Sequence, residues 1–362
     1  MFSYPLAPDT ELRLLEPRHA EEQYALIDGN REHLGRWLGW VSSFQSVDDR
    51  RASITRMLGD LAETGAFPVG LWYQGALAGM IRLNPIHRGC TSLGYWLGEA
   101  YQGKGLITLG CRALIHHAFT NLGAHRIEIG TALANSRSQA VAERLGFTPE
   151  GIRRESYPVG GQYFDVRVYA LLAQEWQAEP VVLFRRPLDD DTELRLMELH
   201  YAETLHRLIE TDREHLGRWF PWAEAPHTLQ ERQAFLKRTL QRFVEGNGML
   251  CGIWHRGAFA GAIEMLHIDR RARSTEFGYW LGERFQGKGL MTRACRAIID
   301  HAFSTLNLNR VVIGALEENT RSRAVAERMG FTLEGTFRQA WWHKDHFADL
   351  VKYSVLKEEW KR

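Results

Sequence analysis

The sequence predicts two α/β domains in tandem, each a mixed sheet flanked by helices. Three observations carry this. At 362 residues the chain is long enough for two separate cores. It also reads as one unit written twice. "DTELRLLEPRHA" from Asp9 returns as "DTELRLMELHYA" from Asp191, and "GYWLGEAYQGKGLITLGCRALIHHAF" from Gly94 returns from Gly278 as "GYWLGERFQGKGLMTRACRAIIDHAF". Within each unit, alternating stretches exchange with amphipathic ones in the order strands, strand, loop, helix, strand, helix, strand.

Taken in order, the first copy opens with a strand pair, then a helical stretch running into "NREHLGRWLGW" and a second helix around "DDRRASITRMLGDLAETG". "AFPVGLWYQGALAGMIRLN" reads as a hairpin about Gln74-Gly75, because glycine there suits a tight turn. "TSLGYWLGE" is a further strand and "LITLGCRALIHHAFTNLG" an amphipathic helix. "HRIEIGTAL" is the next strand, "SRSQAVAERLGF" a short helix, and "DVRVYALLAQEW" a last strand running into a helical tail. The second copy repeats this with two extra residues between Ile263 and Gly278, expected as a longer turn between two strands. A period this long marks a duplicated domain rather than a solenoid. The expected domains are 1–178 and 181–362, with the seam near Gln177–Pro180.

Composition narrows the function classes. Lys plus Arg number 45 against 44 Asp plus Glu, which leaves no general basic field for nucleic acid or an anionic membrane. Cys90, Cys111, Cys251 and Cys295 lie far apart without a C-x-x-C pair, arguing against a disulfide framework or thiolate zinc site. The fifteen histidines show no metal-binding spacing, so no metal is expected. The start of the chain has no signal-peptide pattern and no stretch reaches membrane-spanning length; the expectation is a cytoplasmic protein.

"GEAYQGKGL" and "GERFQGKGL" nearly match the phosphate loop of nucleotide triphosphatases. Gly105 and Gly289 stand where that loop needs the hydroxyl that holds magnesium, which argues against a nucleotide hydrolase. Each loop falls between a strand and a helix, where backbone N–H groups and the helix's positive end face an anion. Two readings follow: a loop holding a diphosphate that is not cleaved, or a strand–helix turn with glycines for tightness.

The strand "GYWLGE", the loop "QGKGL", the "ANSRS" and "ENTRS" segments and the following "LGF" or "MGF" resemble the GCN5-related N-acetyltransferase (GNAT) superfamily. More narrowly, "NREHLGRW", "GYWLGE" and "CRALIHHAF" are similar to the branch that acetylates the amino termini of ribosomal proteins. The resemblance covers nearly the whole chain, once per copy. It implies two GNAT-fold domains in tandem, each a mixed, mostly antiparallel sheet, and acetyl-CoA as cofactor. The cofactor residues it implies in the first copy are Tyr95, Trp96, Leu97, Gln102, Gly103, Lys104, Gly105, Leu106, Ile107 and Asn135. In the second they are Tyr279, Trp280, Leu281, Gln286, Gly287, Lys288, Gly289, Leu290, Met291 and Asn319. Ile107 and Met291 depart from the small residue that usually ends the family's loop.

Acetyl transfer to an amine needs a neutral amine, a donor for the developing oxyanion and a hydrogen bond for the departing sulfur. The resemblance implies a main-chain donor within Tyr95–Leu97 and Tyr279–Leu281. The family's usual tyrosine acid is replaced by Ala142 and Ala326, and the ribosomal branch implies Ser138 and Ser322 instead. A serine in a first helical turn also reads as a cap residue, as do Asn135 and Asn319. Glu276 is the candidate base of the second copy; its counterpart is Ser92, and a first-copy alternative, Glu155, has Gln339 as its counterpart. Gly110 interrupts the first copy's helix at a cost of about 1 kcal/mol against alanine. Together with Ser92 it marks the first domain as the more degenerate. Leu34, Trp37 and Trp40, and Leu216, Trp219 and Trp222, read either as an acceptor-groove border or as core. "WWHKDHF" from Trp341 replaces "YPVGGQY", so the two grooves are expected to differ.

The expected activity is acetylation of a primary amine, first a peptide amino terminus. A cofactor-binding scaffold with one or both sites inactive, and a small-molecule amine acetyltransferase such as one inactivating antibiotics, are the alternatives. No nucleic-acid or membrane partner is expected, and the duplication suggests an intramolecular pseudo-dimer.

Overall fold

A computed structural model describes residues 3–177 and 184–360. The chain divides into two units, Phe2–Phe184 and Arg185–Arg362, called domains 1 and 2 below. From residue 178 onward the expected seam at Gln177–Pro180 lies outside the described residues.

Domain 1 is built on β1 (Ser3–Ala7), β2 (Thr10–Leu14), α1 (Ala20–Asp28), α2 (Arg31–Gly35), α3 (Val47–Thr64), β3 (Phe67–Tyr73), β4 (Ala76–Leu83) and β5 (Cys90–Leu97). It continues through α4 (Leu106–Thr120), β6 (Arg126–Ala132), α5 (Ser136–Arg144), β7 (Thr148–Val159) and β8 (Gln162–Leu172). The sheet order is β1-β2-β3-β4-β5-β6-β8-β7. Every pairing is antiparallel except β5 with β6. That one parallel pair is the point where α4 crosses back over the sheet, as a parallel connection requires.

Domain 2 repeats the plan with β9 (Arg185–Pro187), β10 (Thr192–Leu196), α6 (Ala202–Thr211), α7 (Arg213–Gly217), α8 (Leu229–Val244), β11 (Met249–His255), β12 (Ala258–Asp269) and β13 (Ser274–Leu281). Then follow α9 (Leu290–Ser304), β14 (Arg310–Leu316), α10 (Thr320–Arg328), β15 (Thr332–His343) and β16 (His346–Leu356). Its order is β9-β10-β11-β12-β13-β14-β16-β15, with β13–β14 the parallel pair.

The hairpin at Gln74-Gly75 forms, and both turn residues take positive φ, 50° and 81°. Three local expectations are corrected. The stretch around "NREHLGRW" is not one helix: α1 and α2 are separated at Gly29-Asn30, and Gly39–Ser43 forms a separate 3-10 turn. The tail after β8, expected to be helical, is a single 3-10 turn, Ala173–Glu175, and "TPEGIRRESYPV", to which the sequence assigned no element, is a full edge strand, β7. The two extra residues of domain 2 do not lengthen a turn. They extend β12 to twelve residues with a bulge between Met265 and His267, and the turn shrinks to residues 270–273.

The two sheet faces are fixed by register. Met80 stands opposite Trp96 and Arg82 opposite Gly94; Met80 and Arg82 both meet α3, through Arg50 and Asp60. Ile81, opposite Tyr95, faces α4, where a Cβ on Gly110 would overlap its δ-methyl. Gly110 is therefore a close-packing position as well as a weak helix former. α3 begins at Ser46, whose hydroxyl accepts the Asp49 N–H at 3.1 Å, and ends on Gly65 at φ 73°. α8 begins with a full capping box between Thr228 and Glu231.

Candidate active site: a groove through each sheet

β5 and β6 pair only from Cys90–Ser92 to Arg126–Glu128, although β5 continues to Leu97 and β6 to Ala132. In domain 2 the pairing ends at Phe277 and Ile313, with β13 continuing to Leu281 and β14 to Leu316. Past those points each sheet opens. Tyr95 and Trp96 point to opposite faces, yet both line one groove of about 1970 Å³, so the groove passes through the opening. Its counterpart in domain 2, about 1990 Å³, is lined likewise by Tyr279 and Trp280.

On the α4 face the groove ends at the glycine loop. Gly103 and Gly105 take φ 77° and 72°, and Gly287 and Gly289 take 74° and 69°. Residues other than glycine rarely adopt that conformation. A Cβ on Gly103 or Gly105 would meet nothing within 4 Å, so packing does not require these glycines, and the space above the loop is open. The first helical N–H returned to the loop is Leu109 to the Gly105 carbonyl (3.1 Å). The N–H groups of Leu106, Ile107 and Thr108 are left facing out of the helix start, where an anion is favoured. This geometry fits a pyrophosphate.

Gln102 is less a phosphate ligand than a hub. Its amide nitrogen lies 2.7 Å from His33 Nε2 and its carbonyl accepts from Arg137, which ties α2, the loop and α5 together. Gln286, His215 and Arg321 repeat this arrangement. Lys104 and Lys288 are exposed and do not line the grooves; each ammonium sits over an aromatic ring, Tyr73 at 5.6 Å and Phe285 at 5.5 Å. Leu106, Ile107, Leu290 and Met291 are buried at the helix starts and line the grooves. Leu97 and Leu281 line them from the ends of β5 and β13.

Asn135 and Asn319 cap α5 and α10, each accepting the N–H of the serine three residues on at 3.1 Å. Those serines also meet a phenol. Tyr95 Oη lies 3.0 Å from Ser138 Oγ, and Ser322 Oγ donates to Tyr279 Oη at 3.2 Å. Burial pushes both phenols well above the usual tyrosine range, so they remain protonated. Sequence reasoning treated these tyrosines as strand residues offering main-chain donors. The hydroxyl contact spans 43 positions and only the folded sheet reveals it.

On the opposite face the domains differ. Glu276 lies on the groove wall in an ion pair with Lys352 (3.1 Å). Ser92 takes its place in domain 1, accepting from Asn84 at 2.9 Å, and Val168 replaces the lysine. Glu155 does not line the groove of domain 1. It is an exposed bulge residue at φ 46°, its N–H held by Asp165 at 2.8 Å. A charge pair the sequence reading missed bridges strand and helix in both domains with its signs exchanged. Arg82 pairs with Asp60 at 2.5 Å in domain 1, and Glu264 pairs with Arg242 in domain 2. Burial raises the Glu264 pKa against the opposing pull of Arg242. The exchange was visible in the aligned copies, although neither pair belongs to a motif.

Leu34 and Leu216 are buried at the groove floors, and Trp37, Trp40, Trp219 and Trp222 also line the grooves, with Trp40 packed 6.2 Å from Trp96. Trp341 lines the groove of domain 2 where domain 1 has Tyr157. Trp342 instead packs on Phe347 at 4.9 Å. Among the described residues no three His, Cys, Asp or Glu side chains cluster to hold a metal, and no helix is long and apolar enough to cross a membrane.

A family model described as an acetyltransferase (GNAT) domain matches residues 9–148 and again 191–332. YdaF of Bacillus subtilis (strain 168), provisionally named a ribosomal N-acetyltransferase, is 37% identical over 180 residues, 49% of this chain and 98% of its own length. The ribosomal-protein-serine acetyltransferase of Escherichia coli (strain K12) is 26% identical over 169 residues, 47% of this chain and 94% of its own. A solved ribosomal L7/L12 alpha-N-protein acetyltransferase with coenzyme A is 26% identical, with TM-score 0.46, covering 48% of this chain and 97% of that one.

Proposed function

The chain belongs to the GNAT acetyltransferase family, and from that premise we propose that it acetylates the α-amino group of a peptide or protein amino terminus, with a working cofactor site in each domain. It is an acyltransferase and acetyl-CoA is its cofactor. Bound in the groove, acetyl-CoA supplies an activated thioester carbonyl. The backbone of Gly103–Ile107 and of Gly287–Met291 would hold the pyrophosphate. Main-chain N–H groups of Tyr95–Leu97 and Tyr279–Leu281, freed where the strands diverge, would face the carbonyl oxygen. Ser138 and Ser322 present a hydroxyl toward the sulfur end, each oriented by its cap and by the buried phenol.

One observation carries the choice of acceptor: on the strands that border the acceptor side, β4 and β5 against β12 and β13, no carboxylate is common to the two grooves, and the shared Glu99 and Glu283 lie well exposed beside the glycine loops. Glu276 is held by Lys352, and its counterpart is Ser92. An α-amino group, with a pKa of about 7.7–8.0, is roughly a tenth neutral at pH 7 and needs little help to react. A lysine, near 10.4, is neutral to only about one part in a few thousand. The names of the relatives support the same reading. Mass spectrometry tests it on peptides offered with acetyl-CoA, with the α-amino group and a lysine both free. Acetylation at the amino terminus is expected; modification confined to lysine, or to small polyamines, overturns the reading.

A further inference from the structure

We propose that the acceptor face of domain 1 is an anion site, so that its acceptor is a primary amine with a carboxylate or phosphate close to the reacting nitrogen. The inference rests on the reading of domain 1 as an acetyl-transfer domain. Its centre is Arg50, on the first turn of α3, which lines the groove and is only 2% exposed. Among the described residues all its side-chain hydrogen-bond partners are neutral: Gln23 Oε1 at 2.5 Å, Ser53 Oγ at 3.4 Å and Met80 Sδ at 3.5 Å. The guanidinium also lies over the Phe44 ring at 4.9 Å. Burial, reinforced by repulsion from Arg82, brings its pKa down to about 10, so it stays charged at neutral pH. A buried cation without a counter-charge is unfavourable, and an incoming anion would relieve that.

Arg82 extends the site. It lies two residues beyond Met80 on the same face of β4, opposite Gly94 of the strand that borders the reaction. Arg56, exposed on α3, also lines the groove. Of the four carboxylates on α3 only Asp60 lines the groove with these three guanidiniums, and it is already engaged by Arg82. These residues face α3, whereas the glycine loop leads into α4 on the other face. The cofactor pyrophosphate is therefore not their partner.

Domain 2 shows what the same positions look like without this demand. Arg232, the counterpart of Arg50, has the Glu210 carboxylate at 3.9 Å. Glu264 and Glu276 replace Arg82 and Ser92 on the strands. Arg238 keeps the place of Arg56 in the domain 2 groove, so the domains differ in the counter-charges: Glu210, Glu264 and Glu276 offset the cations of domain 2, where domain 1 has Asp60 alone beside Arg82.

The test uses the full chain carrying Gly289→Glu, which blocks the cradle of domain 2, so that turnover reports domain 1. Acceptors are peptides beginning Ser-Asp-Glu and Ser-Asn-Gln, and phosphoethanolamine against ethanolamine. We expect kcat/KM at least tenfold higher for the anionic member of one pair or both, mainly through KM. The peptide pair reports a carboxylate and the ethanolamine pair a phosphate. Arg50→Gln should reduce that preference to near parity, and Arg56→Gln, at an exposed position that leaves the core intact, should reduce it severalfold. Equal kcat/KM within both pairs overturns the proposal while leaving acetyl transfer by domain 1 intact. If no amine is acetylated, calorimetry with the acidic peptide decides. Binding lost in Arg56→Gln upholds the anion site and removes the transfer reading, and no binding overturns the site.

Discussion

On the face of the glycine loop the two domains make the same contacts through corresponding residues. Gln102 and Gln286 bond the same histidine and arginine partners, and the loop glycines share one conformation. The Tyr–Ser and Asn–Ser contacts recur within 0.2 Å of one another. On the acceptor face they diverge: Ser92 against Glu276, Arg82 against Glu264, Asp60 against Arg242, Tyr157 against Trp341. The difference teaches that one half of each groove keeps a single arrangement while the other half differs, as the proposed reading of one cofactor and two acceptors requires. A decayed first domain would lose its loop and its Tyr–Ser contact at least as readily as its acceptor wall. The glycine at 110 and the missing carboxylate at 92 are poor evidence of decay by that standard.

The largest effect should come from the loops. Gly105→Glu and Gly289→Glu each place a strained side chain at a positive φ and a carboxylate where the diphosphate would lie. Calorimetry with acetyl-CoA should give two equivalents per chain for the parent and one for each single variant, with affinity at the altered loop falling at least about a hundredfold. A parent that binds one equivalent, lost only with Gly289→Glu, would end the symmetry of the two cofactor sites and leave domain 1 a scaffold.

Next in size are the hydroxyl pairs. Ser322→Ala and Ser138→Ala should each lower kcat of their own domain by about ten- to a hundredfold, with KM for acetyl-CoA nearly unchanged. Tyr279→Phe should cost less, because the raised phenol orients the serine and is a poor acid. An unchanged kcat in both serine variants would leave those residues as helix-start residues alone.

Much of this was legible in the sequence because duplication prints each constraint twice. The glycine loop, the strand before it and the serine after the next strand are short-range patterns and could be placed without coordinates. What escaped needs contacts between distant positions. β7 was missed because "TPEGIRRESYPV" is exposed along nearly its whole length and shows no apolar alternation. The Tyr279–Ser322 contact depends on α10 lying against the open end of β13. The Arg82–Asp60 pair depends on register and on the face that α3 covers, neither of which periodicity fixes.

A smaller effect tests the exchanged charge pair. Glu264→Gln leaves Arg242 facing a neutral amide in a mostly buried site, which should cost domain 2 about 1–3 kcal/mol of stability. The double exchange Glu264→Arg with Arg242→Asp copies the domain 1 arrangement and should recover most of that loss. It should also shift the acceptor preference of domain 2 toward anionic peptides. Recovered stability with no change in preference would detach the pair from acceptor choice and make it purely structural.

The smallest effect concerns Gly110, where two physical terms oppose each other. Alanine in a helix interior is favoured over glycine by about 1 kcal/mol. At this position, however, the new methyl would overlap Ile81 Cδ1 and come within 3.4 Å of Leu12 Cδ2, and both side chains are buried. Overpacking of that kind costs about 1–3 kcal/mol, so Gly110→Ala should destabilise domain 1 by about 1 kcal/mol net. Ile81→Val removes the obstructing methyl, and in that background Gly110→Ala should instead stabilise by about 1 kcal/mol. A double-mutant cycle by denaturant unfolding measures the difference directly. If Gly110→Ala stabilises the parent as much as it stabilises the Ile81→Val chain, the glycine is only a flaw in α4, and the case for a degenerate domain 1 regains its footing.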